Sequence, residues 1–447
     1  MDSSEALRER IKSGEAIVAI IGLGYVGLPL AQSLHSGGLR VLGLDVDPLK
    51  VEMLGRGENY LKHLGEEMTR TLADSERFEA SVDFDRLAEA DAVVVCLPTP
   101  LGKHREPDLS YVIRAGEQIG NTLRKGQLIS LESTTYPGTT RGEFLGAIEG
   151  RLEARGEKLV CGRDYFVAYS PEREDPGRKS HDTASIPKLI GGLDDRAADL
   201  AMLLYGKGIT TLHRVSSAEV AESAKLLENI FRAVNIAMVN EMKMILHGLG
   251  IDVWEVIEAA STKPFGFMPF FPGPGLGGHC IPIDPFYLSW KAREVGSTTR
   301  FIELAGEVNH AMPRFVIERL AEALNDRGKA VKGSRVLVLG LAYKPDVDDV
   351  RESPAFELIE MLTEMGAEVE YSDPHVPDAP PTRRHKFKMK SVQLTPDAVS
   401  AYDALLLATH HKKFDYGLLA EHAPLLIDTR NAMSGYATEM GDRLVKA

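Results

Sequence analysis

Residues 16–34, AIVAIIGLGYVGLPLAQSL, leave this chain little choice of starting fold. A β-branched apolar run reads as a buried strand, Gly22-Leu23-Gly24-Tyr25-Val26-Gly27 as a tight turn, and the remainder as a helix. The next strand-like run, RVLGLDVDP, closes on Asp45, 23 positions after Gly22 (45 − 22). Glycines at this spacing let the backbone turn sharply and approach a pyrophosphate that the helix N-terminus faces; the acid after the second strand takes the ribose hydroxyls. The expectation is a dinucleotide-binding Rossmann domain with Gly22, Gly24, Tyr25, Val26, Gly27 and Asp45 against the cofactor. Aspartate rather than arginine after the second strand favours NAD over NADP.

Further strands keep the α/β rhythm: ADAVVVCLPTP, QLISLESTTYPGT and YFVAYSPERE. The first two lead to Thr99 and Thr134 and the third runs into Glu172, and in doubly wound sheets the carboxyl ends of strands line the ligand crevice. From Ser217 the pattern becomes one helical run to His247, 31 residues or roughly 46 Å at 1.5 Å each. It reads as a domain connector and dimer element, because its apolar positions exceed what one domain covers. Lys225 and Asn229 stand four apart on it and share a face. A second strand–turn–helix–strand unit starts at KGSRVLVLGLAYKPDVDDVRES and closes on Asp373. Only Gly340 of the glycine fingerprint remains there, so its ligand is not expected to be a second NAD. The fold expected is α/β: two Rossmann-like doubly wound parallel-sheet domains joined by a long central helix. The expected parts are 1–212 (NAD-binding), 213–325 (helical connector) and 326–447 (C-terminal Rossmann-like).

Composition narrows the function. A chain of 447 residues, 44% hydrophobic and 26% charged, describes a multidomain globular protein. A formal net charge of −13 argues against nucleic-acid partners. Cys96, Cys161 and Cys280 cannot make a disulfide framework and fit a reducing, cytoplasmic setting. The apolar run near the N-terminus is short for a membrane span and shows no cleavage site, so no membrane partner is expected.

One stretch does not belong to this regular pattern. GPGLGGHCIPIDPFY, residues 273–287, places Cys280 among glycines and prolines that break helix and strand alike, with Asp284 four residues on. A cysteine that serves only as packing usually lies in an apolar element. A thiol on such a loop points to chemistry.

GLGYVGLPLA, ESTTYPGT, SPERE, AESAKLLEN, GPGLGGHCIPIDP and AYKPDVDDVRES, in that order, resemble the UDP-glucose/GDP-mannose dehydrogenase family over essentially the whole chain. Within it, KPFGFMPFFPGPGLGGHCIPIDPFYLSWKA is most similar to the branch acting on UDP-N-acetylglucosamine, with UDP-N-acetylmannosamine and UDP-glucose as alternatives. The resemblance implies a cytoplasmic enzyme of bacterial surface-polysaccharide synthesis. Such an enzyme oxidises a sugar C6 alcohol to an acid in two hydride transfers to NAD, through a thiohemiacetal and a thioester on Cys280. It also implies a UDP-sugar partner and a homodimer or higher homo-oligomer.

Matching motif positions implies the remaining roles. Lys225, with Asn229 beside it, would stabilise charge on the C6 oxygen, and Asp284 would hold and help deprotonate a water or the hydroxyl. Glu172 would activate the hydrolytic water, which Thr134 helps to order. Thr99 and Thr134 would touch the cofactor. Lys344 and Gly277 would meet the UDP-sugar and Arg351 the NAD. His279 stands where the UDP-glucose enzymes have Ser, and SPERE lacks their Phe-Leu after the glutamate. Arg232 and Phe265 are candidates for an N-acetyl pocket. A zinc site from His279, Cys280, Asp284 and His310 has poor tetrahedral spacing, and a non-catalytic NAD-binding scaffold would leave the thiol, lysine and glutamate without purpose. His410 and His411 read as exposed side chains after a strand.

Overall fold

A computed structural model of the chain describes residues 2–61, 65–102, 104–173, 183–278, 280–382, 385 and 388–447. They form two compact units, 1–228 with 286–298, and 229–285 with 299–447.

The first unit is built on eight strands: β1 (Ile17–Ile21), β2 (Arg40–Leu44), β3 (Phe78–Ser81), β4 (Ala92–Val95), β5 (Leu128–Leu131), β6 (Phe166–Tyr169), β7 (Lys188–Gly192) and β8 (Leu212–Arg214). Their order is β3-β2-β1-β4-β5-β6-β7-β8. Only β6–β7 is antiparallel among these neighbours. The first six follow the dinucleotide-fold order, with its reversal between β1 and β4. Strand β1 is apolar throughout because both faces are covered: Val18 and Ile20 pack into one core, Ala19 and Ile21 into the other.

The second unit holds β9 (Arg335–Leu339), β10 (Glu368–Ser372), β11 (Ala404–Leu407), β12 (Leu426–Asp428) and β13 (Leu444–Lys446). They are all parallel, in the order β10-β9-β11-β12-β13. Counted within the unit this is 2-1-3-4-5, the other common doubly wound order. Val316 and Leu320 of helix Arg300–Asn325 and Phe356 and Leu362 of helix Pro354–Glu364 pack with Val336, Val338, Leu406 and Ile427 of its sheet.

One helix, Ala218–Gly248, runs unbroken for 31 residues from the first unit into the second. Helix Asp284–Ala292 follows the cysteine loop. Its residues from Phe286 belong to the first unit, where Trp290 stacks on Tyr136 at 5.6 Å and the Tyr287 hydroxyl donates to the Pro100 carbonyl at 3.4 Å.

Candidate active site

In the first unit the three fingerprint glycines do three different jobs. Gly22 has φ +93°, which favours glycine. A Cβ on Gly27 would lie 1.8 Å from the Gly22 carbonyl oxygen, so this glycine lets helix Gly27–Ser36 lie close on the strand. A Cβ on Gly24 would meet nothing within 4 Å. Packing among the described residues does not explain that third glycine; space at this position is what the fingerprint leaves for a pyrophosphate. Among the described residues no side chain caps helix Gly27–Ser36, and no acid stands in its first turn, which suits an N-terminus that faces an anion. Asp45 is 6% exposed, and its carboxylate accepts from the Leu23 N–H at 3.0 Å, the Asp47 N–H at 3.0 Å and Lys50 Nζ at 3.2 Å. Tyr25 packs half-buried on the core and Val26 opens the helix. Thr99 is buried after β4 and Thr134 half-buried after β5.

Glu172 and Lys225 meet in the same unit. Lys225 Nζ donates to the Glu172 carbonyl at 2.6 Å and to its carboxylate at 3.2 Å, with side chains only 6% and 11% exposed. Further residues that the sequence reading passed over hold this segment. Lys188, ion-paired with buried Glu132 at 2.7 Å, also donates to the Pro171 carbonyl at 3.3 Å. Arg173 pairs with Glu228 of the long helix and donates to the Pro187 carbonyl at 2.8 Å. Three consecutive residues are thus pinned from three directions. Glu132 precedes Thr134 by two positions, and its place in ESTTYPGT was the available signal.

In the second unit, the amide nitrogen of Asn229 donates to the Asp284 carboxylate at 2.6 Å, both side chains being buried. Lys225 and Asn229 are one turn apart on the unbroken helix, each engaged with a different acid. Cys280 is half-buried, and its carbonyl accepts the N–H groups of Ile283 and Asp284, which fold the chain directly into helix Asp284–Ala292. No disulfide engages Cys96, Cys161 or Cys280.

The loop's glycines are explained partly by the protein itself. A Cβ on Gly277 would stand 2.6 Å from Tyr343 Cβ, and Gly278, at φ +84°, donates its N–H to the Arg351 carbonyl at 2.9 Å. A Cβ on Gly273 would stand 2.3 Å from the Arg430 guanidinium. The cysteine loop is therefore fitted against AYKPDVDDVRES, where Lys344 is half-buried and the Arg351 guanidinium is held by both Asp349 oxygens at 2.6–3.0 Å. Phe265, Arg232 and His310 are exposed; His279 lies outside the described residues.

The structure corrects one expectation about the second unit. His410 is exposed as read, but His411 is completely buried. Its Nδ1 accepts the Asp346 N–H at 3.0 Å, which leaves Nε2 as the proton donor to Asp373 at 3.1 Å. Burial would lift the Asp373 carboxyl, but His411 and the backbone N–H groups of Ala342 and His375 outweigh it and hold the group below its ordinary value. Asp346, His375 and His411 lie near enough to suggest an ion site. Both His411 nitrogens are already engaged, so this ring offers no lone pair to a metal.

A dinucleotide fold in the first unit, with a second doubly wound sheet in the other, is the architecture of an NAD-dependent oxidoreductase. The chain belongs to the UDP-glucose/GDP-mannose dehydrogenase family, matching its NAD-binding domain over 16–209, its central domain over 219–311 and its UDP-binding domain over 337–435. It is 36% identical to UDP-N-acetyl-D-glucosamine 6-dehydrogenase of Pseudomonas aeruginosa over 89% of this chain and 91% of that one. It is 34% identical to UDP-N-acetyl-D-mannosamine dehydrogenase of Pyrococcus horikoshii over 93% and 95% respectively. Among solved structures, UDP-D-ManNAc dehydrogenase from Pyrococcus horikoshii matches with TM-score 0.82 at 31% identity, covering 93% of this chain and 95% of that one. A UDP-glucose dehydrogenase from Pyrobaculum islandicum matches with TM-score 0.81 at 26% identity, covering 96% of each. The protein is an NAD-dependent oxidoreductase, and NAD is its cofactor. Among the described residues no helix is long and apolar enough to cross a membrane.

Proposed function

We propose that this enzyme oxidises the C6 alcohol of UDP-N-acetylglucosamine to the carboxylic acid through Cys280. The observation that carries the reading is the pair of buried contacts on one helix, Lys225 with Glu172 and Asn229 with Asp284. Gly22, Gly24, Tyr25, Val26, Gly27, Asp45 and Thr99, with Arg351 contributing, would hold NAD, which would supply the hydride acceptor, a fresh NAD being needed for each of the two oxidations. Asp284 takes the C6 hydroxyl proton while Lys225 and Asn229 stabilise the oxygen as it becomes negative. The Cys280 sulfur then adds to the aldehyde carbon, giving a tetrahedral carbon from which a second hydride can leave. The thioester so formed is cleaved by water that Glu172 deprotonates and Thr134 orders. Water supplies the acid's oxygen, and the thiol is released. Gly277 and Lys344 contact the UDP-sugar.

The parts 1–212, 213–325 and 326–447 divide this work in the proposal. The first carries the cofactor, the second the thiol and the third the nucleotide. The choice of sugar rests on KPFGFMPFFPGPGLGGHCIPIDPFY and on the relative named for the same reaction. Three cysteines without disulfides suit a cytoplasmic setting. Phe231, Met238, Met242 and Ile245 recur at helical spacing along the long helix and are 40–53% exposed, and we propose that this face pairs two copies. Sedimentation should give a dimer that Met242→Glu dissociates; a native monomer would sink that assignment.

NADH formed per sugar consumed tests the chemistry, measured separately with UDP-N-acetylglucosamine, UDP-N-acetylmannosamine and UDP-glucose. Two NADH per UDP-N-acetylglucosamine, with little turnover of the others, is expected. The same ratio with another sugar would move the substrate and keep the mechanism. One NADH per sugar would remove Cys280 from its role.

A further inference from the structure

Glu222 has no part in the chemistry above, yet it is a fully buried carboxyl one turn before Lys225 on the long helix. Its oxygens accept the Gly138 N–H at 2.6 Å, the Thr140 N–H at 2.9 Å, the Thr140 hydroxyl at 2.6 Å and the Thr135 hydroxyl at 3.3 Å. All four donors lie in the segment that leaves β5 through Thr134 and enters the wide π-helical turn Thr140–Phe144. Such turns recur at functional sites. A single side chain thus gathers the backbone that follows Thr134 and fixes it to the helix that presents Lys225. The contacts are too many for incidental packing: an apolar residue would close this space without removing a carboxylate from water. Glu219, paired with Arg141, is the charged neighbour on the same helix.

We infer that Glu222 is a positioning residue, a clamp that holds the Thr134–Thr140 segment in the register needed for cofactor binding and thioester hydrolysis. The inference rests on the role proposed for Thr134. An isosteric glutamine separates positioning from bulk packing. Its carbonyl can serve Thr140 and Thr135, but its amide N–H groups must then face the Gly138 N–H, donor against donor. The segment should be released at Gly138 while the helix stays packed.

The test measures NADH affinity by nucleotide fluorescence, together with kcat and KM on UDP-N-acetylglucosamine, for Glu222→Gln, Thr140→Val and Thr134→Val. Thr140→Val removes one donor from the far side of the clamp and serves if the glutamine variant does not fold. The expected result is NADH affinity and kcat each lowered about tenfold in Glu222→Gln and several-fold in Thr140→Val. The sugar KM should stay within twofold, with a native circular dichroism spectrum. Native NADH affinity and kcat in both clamp variants would overturn the inference. So would losses that merely follow the unfolded fraction. Thr134→Val judges the underlying reading separately, because a neutral Thr134→Val removes the role given to that hydroxyl whatever the clamp does. NADH affinity needs no sugar, so a wrong substrate leaves the clamp result readable.

Discussion

At the scale of single residues, three acids differ in what surrounds them. Glu172 faces a lysine, Asp284 faces a neutral amide, and Glu222 has four donors but no cation within its hydrogen-bond set. Burial lifts the Glu222 carboxyl to about 7, with Thr140 and Gly138 pulling the other way and Glu219 adding to the rise. A carboxyl raised from 4.5 to about 7 on folding favours the folded state fully below 4.5, and that contribution is lost as pH rises through about 7. The loss is on the order of 3 kcal/mol, from 1.36 kcal/mol per pKa unit. Native protein should therefore lose denaturation midpoint between pH 5 and pH 8 by more than Glu222→Gln does. Parallel urea midpoints for the two proteins across that range would show that the carboxyl is not so perturbed. A variant that keeps its stability at pH 8 and still binds NADH poorly would separate the clamp from simple structural support.

At the scale of elements, regular structure was legible where pattern is local. The long helix, read from Ser217 to His247, is Ala218–Gly248, and the strand after which Glu172 follows is β6. What escaped was structure fixed by distant contacts. Strand β7 ends in Gly191-Gly192, a poor strand signal; a Cβ on Gly191 would lie 2.2 Å from the Ser217 carbonyl, so this glycine serves the approach of the chain entering the long helix. His411 read as exposed because Asp373, 38 residues away, is invisible to any local pattern. Gly277 read as a UDP-sugar contact, and Tyr343 already occupies the space a Cβ there would need. Gly277→Ala should accordingly cost about 1–3 kcal/mol, the range for overpacking a tight contact. An unchanged urea midpoint would mean that the loop yields without cost and that its fit to Tyr343 is loose.

At the scale of the whole molecule, two units share one polar frame and differ in how it is completed. In each, a glycine at positive φ follows the first strand, Gly22 at +93° and Gly340 at +86°. In each it donates its N–H to the end of the second strand, to the carbonyls of Leu44 and Ser372. The acids that follow, Asp45 and Asp373, both reach back to the turn, to the N–H of Leu23 and to those of Leu341 and Ala342. Asp373 is then closed by the His375 and Val376 N–H groups and by His411. Among the described residues Asp45 takes, beyond the turn, only the Asp47 N–H and the half-exposed Lys50. The proposed function gives the first frame to the dinucleotide and leaves the second as a structural knot. Asp45→Asn should weaken NADH binding about tenfold or more and move the thermal midpoint little, since one hydrogen bond to a charged group is worth about 1.5–3 kcal/mol. Asp373→Asn should do the reverse: NADH affinity stays native while stability falls by about 3 kcal/mol, because His411 and a set of buried N–H groups lose a charged acceptor. Equal effects of the two substitutions on NADH affinity would show that the second frame also touches the cofactor, and the division of roles between the units would have to be redrawn.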